Sequence, residues 1–178
     1  MQTAIHPIIR KATKEDAIGI SMVQTNSWQS TYKGIVNSAF LDNLNSDEKA
    51  EWWTKIITAG NIVWVADVGS IIGFATGGKV REVAEFDAEL YAIYLLDTYK
   101  GQGIGKMLFS TVVKQLCEAG ASSMMVWVLK DNLSKAFYLK LGGEFIKEEE
   151  IEIGNQKLVE EAYGWKDLKA LLDAKKSN

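Results

Sequence analysis

The sequence predicts an α/β (α+β) fold, a central sheet flanked by helices, and three patterns carry that prediction. Residues 89–129 pass from an aromatic, branched stretch through a glycine turn and an amphipathic stretch to a second apolar run. That order is a βαβ unit, and such units are right-handed. Residues 62–66 and 71–75 are strand-like runs around Asp67-Val68-Gly69-Ser70, a hairpin signal. Residues 144–150 and 157–163 flank Gly154-Asn155 and read as a closing strand pair. With 178 residues and no linker, repeat or low-complexity tract, the chain reads as a single domain over 1–178, with a core at about 8–166 and a charged tail at 167–178.

In chain order, Ile8-Ile9-Arg10-Lys11-Ala12 is a short first strand, and Thr13 with Asp16 is a capping signal for a helix running toward Trp28. The apolar positions of that helix form only a mixed stripe. Trp28, Tyr32, Ile35, Phe40, Leu41 and Leu44 fall in a broken, partly helical stretch. Ser46-Asp47-Glu48 then opens a second helix, in which Trp52, Trp53, Ile56 and Ile57 recur at helical spacing. After the hairpin, residues 77–87 are a loop or a strand extension. Ile104, Met107, Leu108, Thr111, Val112 and Leu116 repeat at three and four residues and stop at Gly120, an amphipathic helix. Residues 124–129 are almost continuously apolar, as in a parallel strand covered on both faces. A short helix over 133–141 is ended by Gly142-Gly143.

Composition narrows the function classes. An apolar fraction of 47% and a charged fraction of 24% belong to an ordinary soluble globular chain. A net charge of −3 and a pI near 5.3 leave no basic face for nucleic acid and suit a cationic small molecule better. Residues 1–10 lack the apolar run of a signal peptide, and no run of about 18 apolar residues could span a bilayer. No membrane partner is therefore expected, and the cytoplasm is the expected compartment. The single Cys117 permits no internal disulfide and reads as a small buried residue. The single His6, beside Pro7 near the terminus, leaves no Cys/His cluster for zinc and no Ser-His-Asp triad, so no metal is expected.

A strand running through Lys100-Gly101-Gln102-Gly103-Ile104-Gly105 into a helix gathers free N–H groups at the positive end of a helix dipole, which is an anion site. Glycines there admit backbone angles closed to other residues and keep side chains away from a phosphate. A P-loop would need glycine at Lys100 and a hydroxyl at Met107, although Gly105-Lys106 fits. A dinucleotide fingerprint would need its third glycine at Lys106. A tight turn without a ligand is the other reading of the same residues.

Together with a second motif about 30 residues downstream, this turn resembles that of the GCN5-related N-acetyltransferases (GNAT family). Their coenzyme signature, Arg/Gln-x-x-Gly-x-Gly/Ala, is met by residues 100–105 with lysine in first place. The stretch YAIYLLDTYKGQGIGKML looks like the family's fourth strand and third helix, with Asp97 where proline is frequent. The downstream match, DNLSKAFYLKLGG, supplies Asn132, Tyr138, Leu141 and Gly142, and SWQSTYKGI and EEAYGW extend the likeness over most of the chain. The resemblance implies a central mixed, mostly antiparallel sheet of about seven strands, whose parallel fourth and fifth strands splay apart. It implies acetyl-CoA as cosubstrate and no metal. The pantetheine arm would pair with main chain near Tyr94, Leu95 and Leu96. The pyrophosphate would meet the N–H groups of Gly101, Gln102, Gly103, Ile104, Gly105 and Lys106, with Lys100 adding a point charge. Asn132 would bond the arm, and the Tyr138 hydroxyl would lie near the coenzyme sulfur. Asn132 also suits a cap for the helix after it, and Tyr138 also suits a ring packed in the core.

The resemblance further implies direct transfer, in which a neutral amine attacks the thioester carbonyl and a thiolate leaves. A primary amine with a pKa of about 10.4 must lose a proton on or before binding. Tyr138 is the candidate donor to the thiolate, and a main-chain N–H near Leu95 the candidate partner of the carbonyl oxygen. Glu89 shares strand parity with Tyr91, Ile93 and Leu95 and is the candidate base, directly or through water; it reads equally as a charge at a strand end. Trp28, Tyr32, Tyr163 and Trp165 would wall the acceptor pocket or else pack the core. The expected acceptor is a primary amine of a small molecule. A peptide or protein amine and a non-catalytic acyl-CoA sensor are the alternatives, and a homodimer stays open.

Overall fold

The computed structural model describes residues 6–83 and 85–174; residues 175–178 of the expected tail lie outside them. Seven strands of the described residues form one sheet: β1 (Ile8–Lys11), β2 (Ile62–Asp67), β3 (Ile71–Lys79), β4 (Ala88–Leu95), β5 (Met124–Leu129), β6 (Glu144–Ile153) and β7 (Gln156–Trp165). Their order is β1-β2-β3-β4-β5-β7-β6, and only β4 and β5 run parallel. The helices are α1 (Ala17–Thr31), α2 (Ser38–Asp42), α3 (Ser46–Thr58), α4 (Ile104–Glu118), α5 (Lys135–Lys140) and α6 (Leu168–Asp173).

The two-residue period of the strands sorts the core into two faces. Val63 and Val65 of β2 pack with Ile20 and Val23 of α1 and Trp53 of α3. Trp64 and Ala66 point the other way, toward Leu108, Phe109, Val112 and Val113 of α4. β5 is apolar throughout because both of its faces are covered: Met124, Val126 and Val128 meet α4, whereas Met125 and Trp127 join Phe86 and Ala162 on the opposite face.

Local chemistry sets the ends of the elements. The Asp16 carboxylate accepts from the Thr13 N–H at 2.8 Å, so the expected capping pair opens a short 3-10 turn, Lys14–Asp16, ahead of α1. Arg10 of β1 clamps this start, donating to both Asp16 oxygens at 2.7 and 2.8 Å and to Asp67 of β2 at 2.9 Å. The mixed stripe of α1 has a physical counterpart in Ser21, Thr25 and Ser27, which are buried beside Ile20 and Val23. The tail begins in order: Leu168 of α6 is fully buried in the α4 core, and Asp167 caps the helix by accepting from the Ala170 N–H at 2.9 Å.

An irregularity in β4 sets the shape of the site. Its register with β3 passes from Gly77↔Leu90 to Thr76↔Ala92, so Tyr91 is an extra residue, a β-bulge. Side-chain parity reverses there. Ala88 and Leu90 face α4, Ala92 and Tyr94 face α1 and α3, and Ile93 and Leu95 return to the α4 face. The expected common parity of Glu89 with Ile93 and Leu95 is thereby corrected, because the inserted residue puts Glu89 on the opposite face. Pairing with β5 ends at the same point, spanning only Ala88–Leu90 against Met124–Val126. Beyond the bulge the two parallel strands diverge.

Candidate active site

β4 leads through a 3-10 turn, Asp97–Tyr99, into the glycine turn and α4. Gly101 and Gly103 adopt φ of 75° and 82°, left-handed values that favour glycine. A Cβ at either would meet nothing within 4 Å, so backbone conformation rather than crowding demands glycine, and the space before the turn is open. Met107 is the first α4 residue whose N–H turns back, donating to Gly103 O at 3.1 Å. The N–H groups of Ile104, Gly105 and Lys106 therefore have no intrahelical acceptor. Lys106 sits in the first turn, where a cation opposes the helix dipole unless an anion joins it. The Lys100 ammonium lies 2.5 Å from Asp97, whose carboxyl it holds below its usual range, with Ser30 assisting. Gln102 folds back, donating to Thr98 O at 3.3 Å.

A cavity of about 390 Å³ extends from this turn, lined by Gly101, Gly103, Gly105, Lys106 and Phe137. Through Ile93, Leu95, Lys100, Ser134 and Tyr138 it adjoins a more enclosed cavity of about 90 Å³ between β4 and β5. This second cavity reaches Ser27, Thr31 and Tyr32 on the far face. The two make one passage through the sheet at the point where the strands diverge. Its edge has main-chain character: the Leu96 N–H donates to Ile72 O of β3 at 2.9 Å, and strand alternation aims the peptide groups of Leu95 and Ile93 the other way, at the gap β5 has left.

Aromatic and amide side chains order the inner cavity. The Tyr94 hydroxyl accepts from Trp28 Nε1 at 2.9 Å, and burial pushes its pKa well up. The Tyr32 hydroxyl lies within reach of Tyr94 and Asn132. Asn132 Oδ1 accepts from the Ser134 N–H at 2.8 Å in the turn ahead of α5; the N-cap position is Ser134, so the expected capping by Asn132 is corrected, and Asn132 lines the inner cavity within reach of Tyr32. Tyr138 is both packed in the core and exposed to the passage. Its ring packs edge-on against Phe137 and Trp165, while the residue lines both cavities. Burial, followed by the nearby Tyr32, pushes its phenol far above the ordinary value, so it stays protonated.

The passage does not gather every expected residue. Tyr163 and Trp165 line neither cavity, because strand alternation turns both into the α4 core. The Trp165 indole donates to Leu141 O at 2.9 Å, and the Tyr163 hydroxyl donates to Glu161 at 2.6 Å; burial, and then this bond, pushes the Tyr163 pKa up to about 12. Glu89 is 2% exposed and also lines neither cavity. Its carboxylate accepts from the Arg81 main-chain N–H at 3.2 Å, from Nε at 3.2 Å and from Nη2 at 2.5 Å. Tyr32 does stand at the far end, whereas Trp28 lines neither cavity and sits behind the lining, donating to the Tyr94 hydroxyl. Ser27 and Thr31 are additions that the sequence alone did not mark, and their one signal is a hydroxyl at each of two positions one turn apart on α1, the first buried and the second partly so. Arg81 left no signal, since it lies in a loop.

Strands that open into a V, with free helix-terminal N–H groups beside the opening, are the arrangement that the resemblance to the N-acetyltransferases implies. Residues 25–143 match the profile of the acetyltransferase (GNAT) family, and the chain belongs to that family. YuaI of Bacillus subtilis (strain 168), described as an uncharacterized N-acetyltransferase, is 38% identical over 92% of this chain and 95% of its own. The PaiA N-acetyltransferase of Thermoplasma acidophilum, solved with coenzyme A, superposes with a TM-score of 0.67 at 22% identity, covering 88% of this chain and 98% of that one. The phosphinothricin acetyltransferase of Sinorhizobium meliloti, solved with acetyl-CoA, gives 0.69 at 23% identity, with 90% and 88% covered. Among the described residues, no cluster of His, Cys, Asp and Glu is arranged to hold a metal, and no helix is long and apolar enough to cross a membrane.

Proposed function

We propose that the chain transfers an acetyl group from acetyl-CoA directly to a primary amine of a small molecule. The observation that carries this reading is the passage itself, an anion cradle continuous with a narrow slot whose far end is roofed. The roof is the α1–α2 segment, where Tyr32, Val36 and Leu41 pack against Leu129, Ile151, Ile153 and Leu158. Gln156 of β7 pins it, accepting from the Asn37 N–H at 2.7 Å and donating to Ile35 O at 3.0 Å. A roof tied to the β6–β7 hairpin supports a compact amine over an extended polypeptide in this reading. The coenzyme complexes of the PaiA and phosphinothricin enzymes support the cosubstrate.

The coenzyme supplies an activated thioester; the protein supplies position and proton control. The N–H groups of residues 104–106 grip the diphosphate, with Lys100 and Lys106 adding charge. The Ile93 and Leu95 peptide groups pair with the amides of the pantetheine arm, and one such N–H also meets the carbonyl oxygen as it gains charge. Asn132 orients the arm. Tyr138, kept protonated by burial, donates to the departing thiolate. Glu89, with three donors already on its carboxylate, serves as a structural anchor for Arg81 in this reading, and the amine loses its proton to water before attack.

Thermal unfolding with acetyl-CoA, CoA, NAD and ATP tests the cosubstrate, because a ligand that binds the folded state raises its stability. Stabilisation by NAD or ATP and by neither CoA species overturns it. Thiol release across small amines and an N-terminal peptide tests the acceptor. Turnover on the peptide alone replaces the small-molecule reading, and no turnover on anything makes the protein an acyl-CoA sensor.

A further inference from the structure

Tyr91, the extra residue of β4, is held on three sides. Its ring lies across Gly78 of β3, where a Cβ would come within 2.8 Å of the hydroxyl oxygen and 3.1 Å of the ring, so the seat exists because residue 78 has no side chain. The hydroxyl donates to Lys79 O at 2.5 Å, and the Arg81 guanidinium stands over the ring, 4.8 Å from its centroid. Arg81 is fixed in turn, because its Nη2 and Nε donate to the buried Glu89 at 2.5 and 3.2 Å. One guanidinium therefore bridges Glu89 and Tyr91, the residues on either side of Leu90, and Leu90 with Val126 is the last rung that β4 makes with β5. The clamp straddles the point at which the two strands part. Tyr91 is 36% exposed and the Arg81 side chain 63%, so core filling does not account for the arrangement. Tyr91 lines the inner cavity, and neither residue lines the larger cavity at the glycine turn.

We propose that Arg81 and Tyr91 are positioning residues for the coenzyme arm, a latch that keeps the β4 bulge formed and the strand turned away from β5. A bulge is a local choice of register, and the same residues in an unbulged register would continue the ladder past Leu90 and close the gap. The latch biases that choice, and it does so from the stretch before the slot, whereas the glycine turn lies beyond Leu95. The inference rests on the coenzyme placement above and deepens it, by naming residues outside the cradle that hold the slot open.

Calorimetric titration of CoA and of ADP into full-length wild type, Gly78→Ala, Tyr91→Leu and Tyr91→Phe tests the latch. CoA occupies cradle and slot, whereas ADP carries the diphosphate without the arm and reports the cradle alone. Gly78→Ala pushes the ring off its seat without the strain of a left-handed backbone, since the φ of Gly78 is not positive. Tyr91→Leu removes the ring at a partly exposed position, which leaves the core intact. Both variants should bind CoA roughly five- to tenfold more weakly, the scale of one lost restraint, and ADP within about twofold of wild type. Tyr91→Phe keeps the ring between Gly78 and Arg81 and should bind CoA within about threefold of wild type. An unchanged CoA affinity in either Gly78→Ala or Tyr91→Leu overturns the inference. Equal losses for CoA and ADP also overturn it, because they mark a general loosening of the fold and not a change in the slot. Wild-type protein that binds no CoA, or from which ADP displaces none, overturns the coenzyme placement and this inference with it.

Discussion

Replacing Gly103 with alanine should damage coenzyme binding far more than folding. The residue holds a φ of 82° at the start of α4, and a left-handed alanine costs about 1–2 kcal/mol. The added Cβ meets no atom within 4 Å, so no clash enlarges that cost. At roughly 2–4 °C per kcal/mol for a domain of this size, the melting temperature should fall by roughly 2–8 °C. The methyl group would occupy open space at the N-cap of α4, beside the free N–H groups that the proposed function assigns to the diphosphate. Displacing the diphosphate from one main-chain donor forfeits a bond to a charged group, about 1.5–3 kcal/mol, or roughly a 10- to 150-fold loss of affinity. Gly69→Ala provides the comparison, since Gly69 has a φ of 95° and the same open surroundings but sits in the β2–β3 turn. Melting curves of both variants with titrated acetyl-CoA separate backbone strain from lost binding. Equal acetyl-CoA affinity in the two variants would refute the placement of the cradle at this turn.

Tyr138→Phe should lower kcat about 100-fold or more while leaving acetyl-CoA affinity within threefold, as removal of a general acid does. Because burial raises this phenol above its ordinary value near 10, the donor stays protonated through the assay range; a wild-type rate that falls between about pH 8 and 9.5, with the fall absent in the variant, would contradict that. Asp16 is held below the usual carboxylate range, chiefly by Arg10, so its stabilisation is present above the unfolded value of about 3.9 and is lost as pH drops through the folded value. Urea unfolding should therefore show Asp16→Asn weaker than wild type by about 1–3 kcal/mol at pH 7, with the gap closing toward pH 2; a constant gap would be the wrong outcome. Glu89→Gln should lower the melting temperature and leave kcat close to wild type, and the reverse pattern would restore Glu89 as the base.

Much of this architecture is legible in the residues because each element is locally consistent. The periodicity of α4, the continuous apolar run of β5 and the glycines at 101 and 103 all state their structure in sequence. The single extra residue in β4 is not legible. YAIYLL satisfies a strand whether or not Tyr91 is bulged, because a bulge is decided by register against β3 and leaves the local propensities unchanged. One uncounted residue reverses every inward and outward assignment beyond it, which is why simple alternation puts Glu89 and Ile93 on one face. Tyr163 and Trp165 are ambiguous for a related reason. An aromatic at the end of a strand fits a core and a pocket wall equally, and only the pairing of β7 with β5 and β6 shows which side it takes. Ser27 is silent in the sequence because a serine in a helical stripe carries little signal until the polar atoms around it are matched.

The bulge and Ser27, whose buried Oγ hydrogen-bonds to no described residue, belong to one piece of hydrogen-bond accounting. A strand in the middle of a sheet normally pairs both its edges, and leaving one edge open invites a foreign strand. Here the open edge is interior and short, bounded by β5 on one side and by α1 on the other, so no second chain can dock along it. What it can accept is a single extended arm carrying its own amides, inserted from the side of the glycine turn. In the proposed reading the turn would grip one end of that arm through backbone donors that α4 cannot satisfy itself, and Tyr138 and Asn132 would meet the other end. Ser27 stands beyond that point with its own bond unmade. The free N–H groups of the α4 terminus, the open edge of β4 and the Ser27 hydroxyl therefore follow one another from α4 through the sheet to α1, and Thr25 Oγ1 is a buried unpartnered hydroxyl away from that line. A sheet zipped along its full length would be more stable without ligand and would have nothing to offer a coenzyme.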